Sequence, residues 1–202
     1  MKPIDIKFDF DLDFDNYLEE INGKFMKTKN KKIRKYNVKK GTEQIKNLIQ
    51  TPPTNKESIR LLSFQGGFSS INLILFIAEI EDIEELYIST LRIGRREAEE
   101  LYKLYTKGKI KKIFLLLGYM QKLVDQSANG QGYFDYIAEL FNVPNIKILQ
   151  KNNHSKLLLM KTKKNYYTVE TSSNLNDNPR IEQFCFENSK ELFDFYRTIF
   201  YD

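Results

Sequence analysis

Between residues 58 and 150 the sequence alternates short apolar segments with longer amphipathic ones. Segments such as SIRLLSF (58–64) and NIKILQ (145–150) have the composition of β-strands, whereas SSINLILFIAEI (69–80) and GRREAEELYKLYTKG (94–108) have the length and periodicity of helices. Strands that alternate with helices form a sheet with parallel strands, covered by helices on both faces. The pattern therefore predicts an α/β fold with a mixed, largely parallel sheet.

After Gln150 this alternation stops. HSKLLLMK (154–161) and NYYTVET (165–171) are strand-like and are joined by a short polar turn. RIEQFCFE (180–187) predicts a further strand, and SKELFDFYRTIF (189–200) predicts a closing helix. The end of the chain is therefore expected to add a hairpin, a strand and a helix to the α/β sheet.

The N-terminal part has a different character. Apolar and charged, mostly acidic, residues alternate from Ile4 to Phe14, which predicts a strand with an acidic outer face. Residues 23–40 hold nine basic residues and no acid, residues 42–50 predict a helix, and the proline pair in TPPTN (51–55) breaks regular structure. We therefore expect an N-terminal extension over 1–55, with a strand and a basic segment, and an α/β domain over 56–202.

The composition restricts the kinds of site that the chain can build. One cysteine cannot form an intramolecular disulfide, and one cysteine with one histidine falls short of the roughly four ligands of a typical zinc site. Acids interrupt the apolar positions of the first residues, so no signal peptide is recognised, and no apolar run reaches the roughly 20 residues that cross a bilayer. We expect a cytoplasmic protein with no metal, no other cofactor and no membrane partner.

His154, the only histidine, stands two positions before Lys156. Side chains two apart on a strand share a face, and Ser172 and Asn174 repeat this spacing at the end of the partner strand. An imidazole can attack phosphorus while Lys156 and Asn174 donate to the phosphate oxygens, and Glu182 can accept from the other ring N–H. The alternative is a solvated His-Lys pair on the surface, followed by a Ser-x-Asn turn.

The order of these features resembles the active-site half of the phospholipase D superfamily. In that family His-x-Lys is followed after four residues by Asp, then by a strand that ends in Gly-Ser-x-Asn, and shortly afterwards by Glu. His154, Lys156, Ser172, Asn174 and Glu182 occupy those positions here. The resemblance covers about 86–201; it does not include 1–57, and 58–80 resembles an added strand and helix. Two positions depart from the pattern, because Lys161 replaces the Asp and Thr171 replaces the Gly.

The resemblance implies a phospholipase D-like fold and a metal-independent phosphodiesterase, more specifically a nuclease, that forms a phosphohistidine. Family members with two motifs build one site from both, so a chain with one motif is expected to form a homodimer with a His154 from each subunit in the site. Two other interpretations stay open. One is an inactive nucleic-acid-binding or regulatory protein of the same fold, and the other is phosphatidyl transfer on lipids.

Basic residues provide the expected contacts with nucleic acid, with DNA expected ahead of RNA. The net charge is +5, and the basic segment has aromatic residues between its lysines. A solvated loop or helix face is the alternative for this segment. The second group of lysines lies in and after the His154 strand and is expected nearer the catalytic residues. The predicted nucleic-acid contacts are Lys31, Lys32, Arg34 and Lys35 in the basic segment, and Lys161, Lys163 and Lys164 in the hairpin.

Overall fold

The computed structural model describes residues 34–38, 42–64, 67–119, 133–176 and 180–201. The strands in these ranges are β1 (Arg34–Val38), β2 (Ser58–Ser63), β3 (Ile83–Thr90), β4 (Ile113–Gly118), β5 (Ile146–Lys151), β6 (Leu157–Thr162), β7 (Tyr166–Thr171) and β8 (Glu182–Asn188). The helices are α1 (Thr42–Ile49), α2 (Ser70–Ile80), α3 (Arg95–Thr106), α4 (Tyr133–Leu140) and α5 (Lys190–Arg197), and a short 3-10 helix (Thr198–Phe200) follows α5.

The described strands form one mixed sheet in the order β1-β2-β8-β7-β6-β3-β4-β5. The pairs β1–β2, β3–β4 and β4–β5 are parallel. The pairs β2–β8, β8–β7, β7–β6 and β6–β3 are antiparallel. The predicted α/β class and mixed sheet are confirmed, but antiparallel pairs outnumber parallel ones, because the hairpin β6–β7 and strand β8 insert between β2 and β3.

Two apolar cores lie on opposite faces of the sheet. In β3, Leu86 and Ile88 join the larger core, whereas Tyr87 between them joins the smaller one, as the two-residue period of a strand requires. Helices α1 to α4 contribute to the larger core, and Phe193 of α5 and Phe200 of the 3-10 helix complete the smaller. Helices therefore cover both faces, as the sequence predicts.

The basic segment of the sequence includes a strand rather than only a loop or a helix face. Strand β1 pairs in parallel with β2, with Arg34 opposite Ser58. The acidic strand predicted for residues 4–14 lies outside the described residues. Helix α1 buries Ile45 and Ile49 in the larger core, and a domain boundary at residue 55 stays a prediction. No helix among the described residues is both long and apolar enough to cross a membrane.

The carboxyl end of the sheet, where β3, β4 and β5 finish, is the part that matters for the candidate site. Because β6 and β8 run antiparallel to β3 and β7, this is also where β6 begins, β7 finishes and β8 begins. The loop before β6 passes close to the end of β4. A Cβ on Gly118 would lie 2.6 Å from the backbone oxygen of Asn153, so only glycine allows this approach without a shift.

Candidate active site

The His154 imidazole and the Lys156 ammonium are in direct contact just before β6. Lys156 Nζ lies 3.0 Å from His154 Nδ1 and donates to the backbone carbonyl of His154 at 2.9 Å. An ammonium can only donate, so Nδ1 is the acceptor in this contact and the proton of the neutral ring is on Nε2. His154 is exposed and Lys156 is half-buried. The two groups predicted to carry the chemistry are therefore adjacent and reachable from solvent.

The electrostatic setting of Lys156 differs from that of a surface lysine. Burial lowers the pKa of its ammonium below the ordinary value of 10.5, and the negative charge of Glu182 opposes this shift. Lys156 thus lies within electrostatic range of the carboxylate that begins β8. Perturbed pKa values are concentrated at functional sites, which agrees with the position of Lys156 at the carboxyl end of the sheet.

Ser172 and Glu182 form a second pair at the same end. The Ser172 hydroxyl donates to a carboxylate oxygen of Glu182. The backbone N–H of Gln183 donates to the Ser172 hydroxyl at 3.0 Å, and the Ser172 N–H donates to the Gln183 carbonyl at 3.1 Å. Glu182 is 7% exposed, so a buried carboxylate is held by the end of one strand and the start of the next.

Asn174 lies beside the end of β3. Its amide oxygen is 3.5 Å from the Thr90 hydroxyl, but the proton of that hydroxyl is better directed at the Arg92 carbonyl, 2.7 Å away. Asn174 is therefore only weakly tied through this oxygen. With it, all five residues predicted as catalytic lie at the carboxyl end of the sheet, although their roles stay predictions.

The structure adds three polar residues that the sequence analysis did not select. Asn153 Nδ2 donates to the Ser89 hydroxyl at 2.9 Å, and the Ser89 and Ser155 hydroxyls are 2.6 Å apart. Ser155 donates to Asn153 Oδ1 through its N–H at 3.0 Å and its hydroxyl at 2.7 Å. No local pattern indicates this cluster, because Ser89 is separated from Asn153 by 64 residues.

The two departures from the phospholipase D pattern are accommodated without strain. Lys161 makes an ion pair with Glu85 on the neighbouring strand β3, with Nζ 3.6 Å from the carboxylate oxygen. Lys56 and Asn145 are the non-glycine residues with positive φ in the described ranges, so Thr171 adopts a backbone angle that a β-branched residue tolerates. Its hydroxyl accepts from the Ser173 N–H at 2.9 Å, which supports the turn after β7.

The lysines of the hairpin are not near the catalytic residues, contrary to the expectation from the sequence. Lys161 pairs with Tyr166 at the far end of β6, and Lys163 and Lys164 lie in the exposed turn beyond it. At about 3.3 Å per residue, the six residues of β6 alone separate this turn from the site by roughly 20 Å. The chain runs away from the site along β6, so closeness in sequence did not mean closeness in space.

The other predicted nucleic-acid contacts belong to the N-terminal basic segment. Lys31 and Lys32 lie outside the described residues. Arg34 and Lys35 are in β1, which pairs with β2 and is the outermost of the described strands on that side. Among the described residues, no group of three or more His, Cys, Asp or Glu is arranged to hold a metal ion.

Comparisons with known proteins identify the fold. No protein-family model and no curated protein matches the chain. Among solved structures, the polyphosphate kinase from Porphyromonas gingivalis aligns with a TM-score of 0.56 at 14% identity, over 76% of this chain and 28% of the kinase. The chain thus spans little more than a quarter of that protein.

Two further structures align less well. The phosphatidylserine synthase from Haemophilus influenzae gives a TM-score of 0.45 at 11% identity, over 70% of this chain and 36% of the synthase. The yeast tyrosyl-DNA phosphodiesterase gives 0.35 at 11% identity, over 54% and 27% of the two chains. All three proteins are members of the phospholipase D superfamily. The kinase alignment carries the conclusion that this chain has a phospholipase D-like α/β fold.

Proposed function

We propose that this phospholipase D-like chain is a metal-independent phosphodiesterase, specifically a nuclease, that acts through a phosphohistidine at a site formed by two subunits. The observation that carries the proposal is the contact of 3.0 Å between His154 Nδ1 and Lys156 Nζ. It lies at the end of the sheet that also holds the Ser172–Glu182 pair. An exposed imidazole beside a cation can attack phosphorus while the cation neutralises the phosphate oxygens.

In the first step Lys156 Nζ moves from His154 Nδ1 to a phosphate oxygen, and Nδ1, the unprotonated nitrogen of the neutral ring, attacks phosphorus as the bond from phosphorus to the leaving oxygen breaks. The ammonium of Lys156 and the amide of Asn174 donate to the non-bridging oxygens, whose charge changes in the transition state. Ser172 holds the Glu182 carboxylate, and this carboxylate stabilises the nearby positive charges. The product of the step is a phosphohistidine that still carries one strand.

The second subunit supplies the proton that the leaving oxygen needs. In a homodimer, the partner's His154 enters the site protonated and gives its proton to the leaving oxygen. The same imidazole then removes a proton from water, whose oxygen attacks phosphorus as the bond to the His154 nitrogen breaks. The two imidazoles therefore start the reaction in different protonation states, one neutral and one protonated.

Nucleic acid is the proposed substrate, and DNA is favoured over RNA. A chain with a net charge of +5 attracts polyanions, and Arg34 and Lys35 of the basic segment belong to β1, the outer strand on one side among those described. Contacts of this kind bind the phosphate backbone of any sequence. We therefore propose cleavage without strong base specificity.

The test is cleavage of single-stranded and double-stranded DNA and RNA in the presence of EDTA. We expect the native protein to cleave at least one of them, and His154→Ala to lose activity by roughly 1,000-fold or more. Asn152→Ala, an exposed residue two positions away, is the matched control and should cleave as the native protein does. Cleavage that survives in His154→Ala contradicts the assignment of the nucleophile.

The presence of Lys161 supports a second candidate, an inactive nucleic-acid-binding or regulatory protein. Lys161 occupies the position of the superfamily Asp, and its charge is used in the ion pair with Glu85. This candidate predicts salt-sensitive binding without cleavage of any nucleic acid, and binding that His154→Ala leaves intact. A covalent adduct on His154 would exclude it.

A further inference from the structure

We propose that Asn153 is a positioning residue that fixes the place of His154 at the carboxyl end of the sheet. Only the effect on catalysis rests on the proposed phosphodiesterase function; the effect on the imidazole does not. Asn153 and Ser155 immediately flank His154, and both are bound to the end of β3 through side-chain hydrogen bonds. The histidine itself is exposed, so its backbone is held from both sides while its ring stays accessible.

The oxygen of the Asn153 amide binds the residue that follows the histidine. Asn153 Oδ1 accepts from the Ser155 N–H at 3.0 Å and from the Ser155 hydroxyl at 2.7 Å. A backbone N–H can only donate, so this contact fixes which end of the amide is oxygen. The resulting turn has His154 at its centre. Asparagine side chains commonly form such turns by binding the backbone two residues further along the chain.

The nitrogen of the same amide binds the sheet. Asn153 Nδ2 donates to the Ser89 hydroxyl at 2.9 Å, and it lies 3.4 Å from the Thr90 carbonyl and 3.3 Å from the Leu116 carbonyl. The first contact has the ordinary length of a hydrogen bond, and the other two are longer. One amide thus connects the loop before β6 to the ends of β3 and β4.

The side chains of Ser89, Asn153 and Ser155 form a closed ring of hydrogen bonds. Ser155 uses its hydroxyl proton on Asn153 Oδ1, and the Ser89 hydroxyl accepts from Asn153 Nδ2. The contact of 2.6 Å between the two hydroxyls must then use the Ser89 proton, with Ser155 as acceptor. Ser89 is 1% exposed whereas Ser155 is exposed, so the ring joins the buried end of β3 to the surface loop that carries His154.

The ring acts on the imidazole through the backbone of His154. With residues 153 and 155 fixed, the imidazole can move only about its own side-chain bonds, and Lys156 restrains this motion through its contacts with Nδ1 and the His154 carbonyl. The neutral ring therefore has one preferred tautomer, with its proton on Nε2. Loss of the amide should release the loop and allow both tautomers.

The experiment is NMR of the imidazole nitrogens, which is unambiguous because the chain has a single histidine. In the native protein we expect the neutral ring to show separate nitrogen signals, with Nε2 protonated and Nδ1 as acceptor. In Asn153→Ala we expect the two signals to move toward the average of the tautomers. Asn152→Ala is the matched control, since it removes the adjacent, exposed asparagine, and its signals should be native.

Ser89→Ala is the second variant, for the case in which Asn153→Ala does not fold. It removes one member of the hydrogen-bond ring from a strand remote in sequence from His154, so any change in the imidazole signals must pass through Asn153 or Ser155. We expect a shift in the same direction and of smaller size. If Asn153→Ala folds and its imidazole signals are native, the proposal is overturned. If Asn153→Ala does not fold, native imidazole signals in Ser89→Ala overturn it.

Cleavage kinetics give the catalytic readout. A misplaced nucleophile costs roughly 10- to 100-fold in kcat, so folded Asn153→Ala should lose kcat with little change in KM. A purely structural role for Asn153 would lower the melting temperature without changing the tautomer or kcat of the folded protein, and this result also overturns the proposal. If the native protein cleaves nothing, the proposed function fails while the NMR test of Asn153 still stands.

Discussion

The two ends of the β6–β7 hairpin use similar residues in different ways. At the carboxyl end of the sheet, Asn153 holds the loop around His154, and the imidazole itself is exposed. At the turn end, Asn165 Nδ2 donates to Glu81 at 3.0 Å, and its Oδ1 accepts from Asn188 at 3.0 Å. Both ends contain an asparagine that links strands, but only the first presents a potential nucleophile.

The polar groups at the turn end serve the fold. The Thr162 hydroxyl accepts from the N–H groups of Lys164 at 3.3 Å and Asn165 at 3.0 Å, and Asn188 Nδ2 also donates to the Pro53 carbonyl at 3.1 Å. The first two bonds satisfy backbone N–H groups of the turn, and the third satisfies a backbone carbonyl of the segment before β2. The lesson is that an asparagine network marks a site only when it supports a reactive group that solvent can reach.

Substitution of Lys156 is expected to have the largest effect on cleavage and to distinguish most clearly the two ends of the hairpin. In Lys156→Gln we expect kcat to fall by about 100- to 1,000-fold, because a neutral amide cannot neutralise the phosphate oxygens in the transition state. The matched control is Lys147→Gln, an exposed lysine at the opposite end of β5, for which kcat should be native. Steady-state cleavage assays decide the point, and an equal loss in the two variants contradicts a local role for Lys156.

The same residue sets the expected dependence on pH. Burial lowers the pKa of Lys156, so activity that needs the ammonium should decline, as pH rises, at a pH below that of an ordinary lysine. Between the lowered pKa of Lys156 in the folded chain and its ordinary pKa in the unfolded chain, the unfolded chain holds more protons than the folded one. The contribution of Lys156 to stability therefore rises with pH over this range. Activity of a Lys156→Arg variant should be lost at higher pH than activity of the native protein. If the alkaline limb of the pH–activity profile does not move in an active variant, another group is responsible for it.

Asn165 tests the turn end. Asn165→Ala removes its bonds with Glu81 and Asn188, and we expect a loss of about 1 to 3 kcal/mol in the free energy of unfolding. Cleavage by the folded protein should be native, because the length of β6, roughly 20 Å, separates the turn from the site. Denaturant unfolding and kcat measured on the same sample compare the two effects. A loss of kcat without a loss of stability would reverse the assignment of the two ends.

The turn lysines are expected to have the smallest effect. In the double variant Lys163→Gln and Lys164→Gln, the slope of log affinity against log salt should fall by about 0.9 for each lysine that contacts a phosphate. We expect weaker binding with kcat retained at saturating substrate, since these lysines lie far from His154. Titrations of DNA at several salt concentrations measure the slope. A fall in kcat as large as that in Lys156→Gln would place the turn at the active site.

Local patterns in the sequence predict most of the secondary structure. SIRLLSF, SSINLILFIAEI and GRREAEELYKLYTKG correspond to β2, α2 and α3, because their periodicity and length distinguish strand from helix. The order of the strands was not predictable in this way. Whether β6 pairs with β3 or β8 pairs with β2 depends on contacts between distant segments, and no local pattern records them.

The candidate site is partly visible in the sequence. The spacing of His154 and Lys156 predicts their contact, because residues two apart share a face of an extended chain. Ser89 was missed because its partners come from the other half of the chain, and β1 was missed because its run of basic residues resembles a solvated loop. The turn lysines were misplaced because a strand carries consecutive residues steadily away from its start.

The central claim is a covalent bond between phosphorus and His154. The most direct measurement is the mass of the peptide that contains His154, after a single-turnover reaction with DNA or RNA is stopped during cleavage. The account predicts an acid-labile adduct on His154, in which phosphorus still carries one strand, and no adduct in His154→Ala. Cleavage in single turnover with no adduct on His154, or with the adduct on another residue, would contradict it.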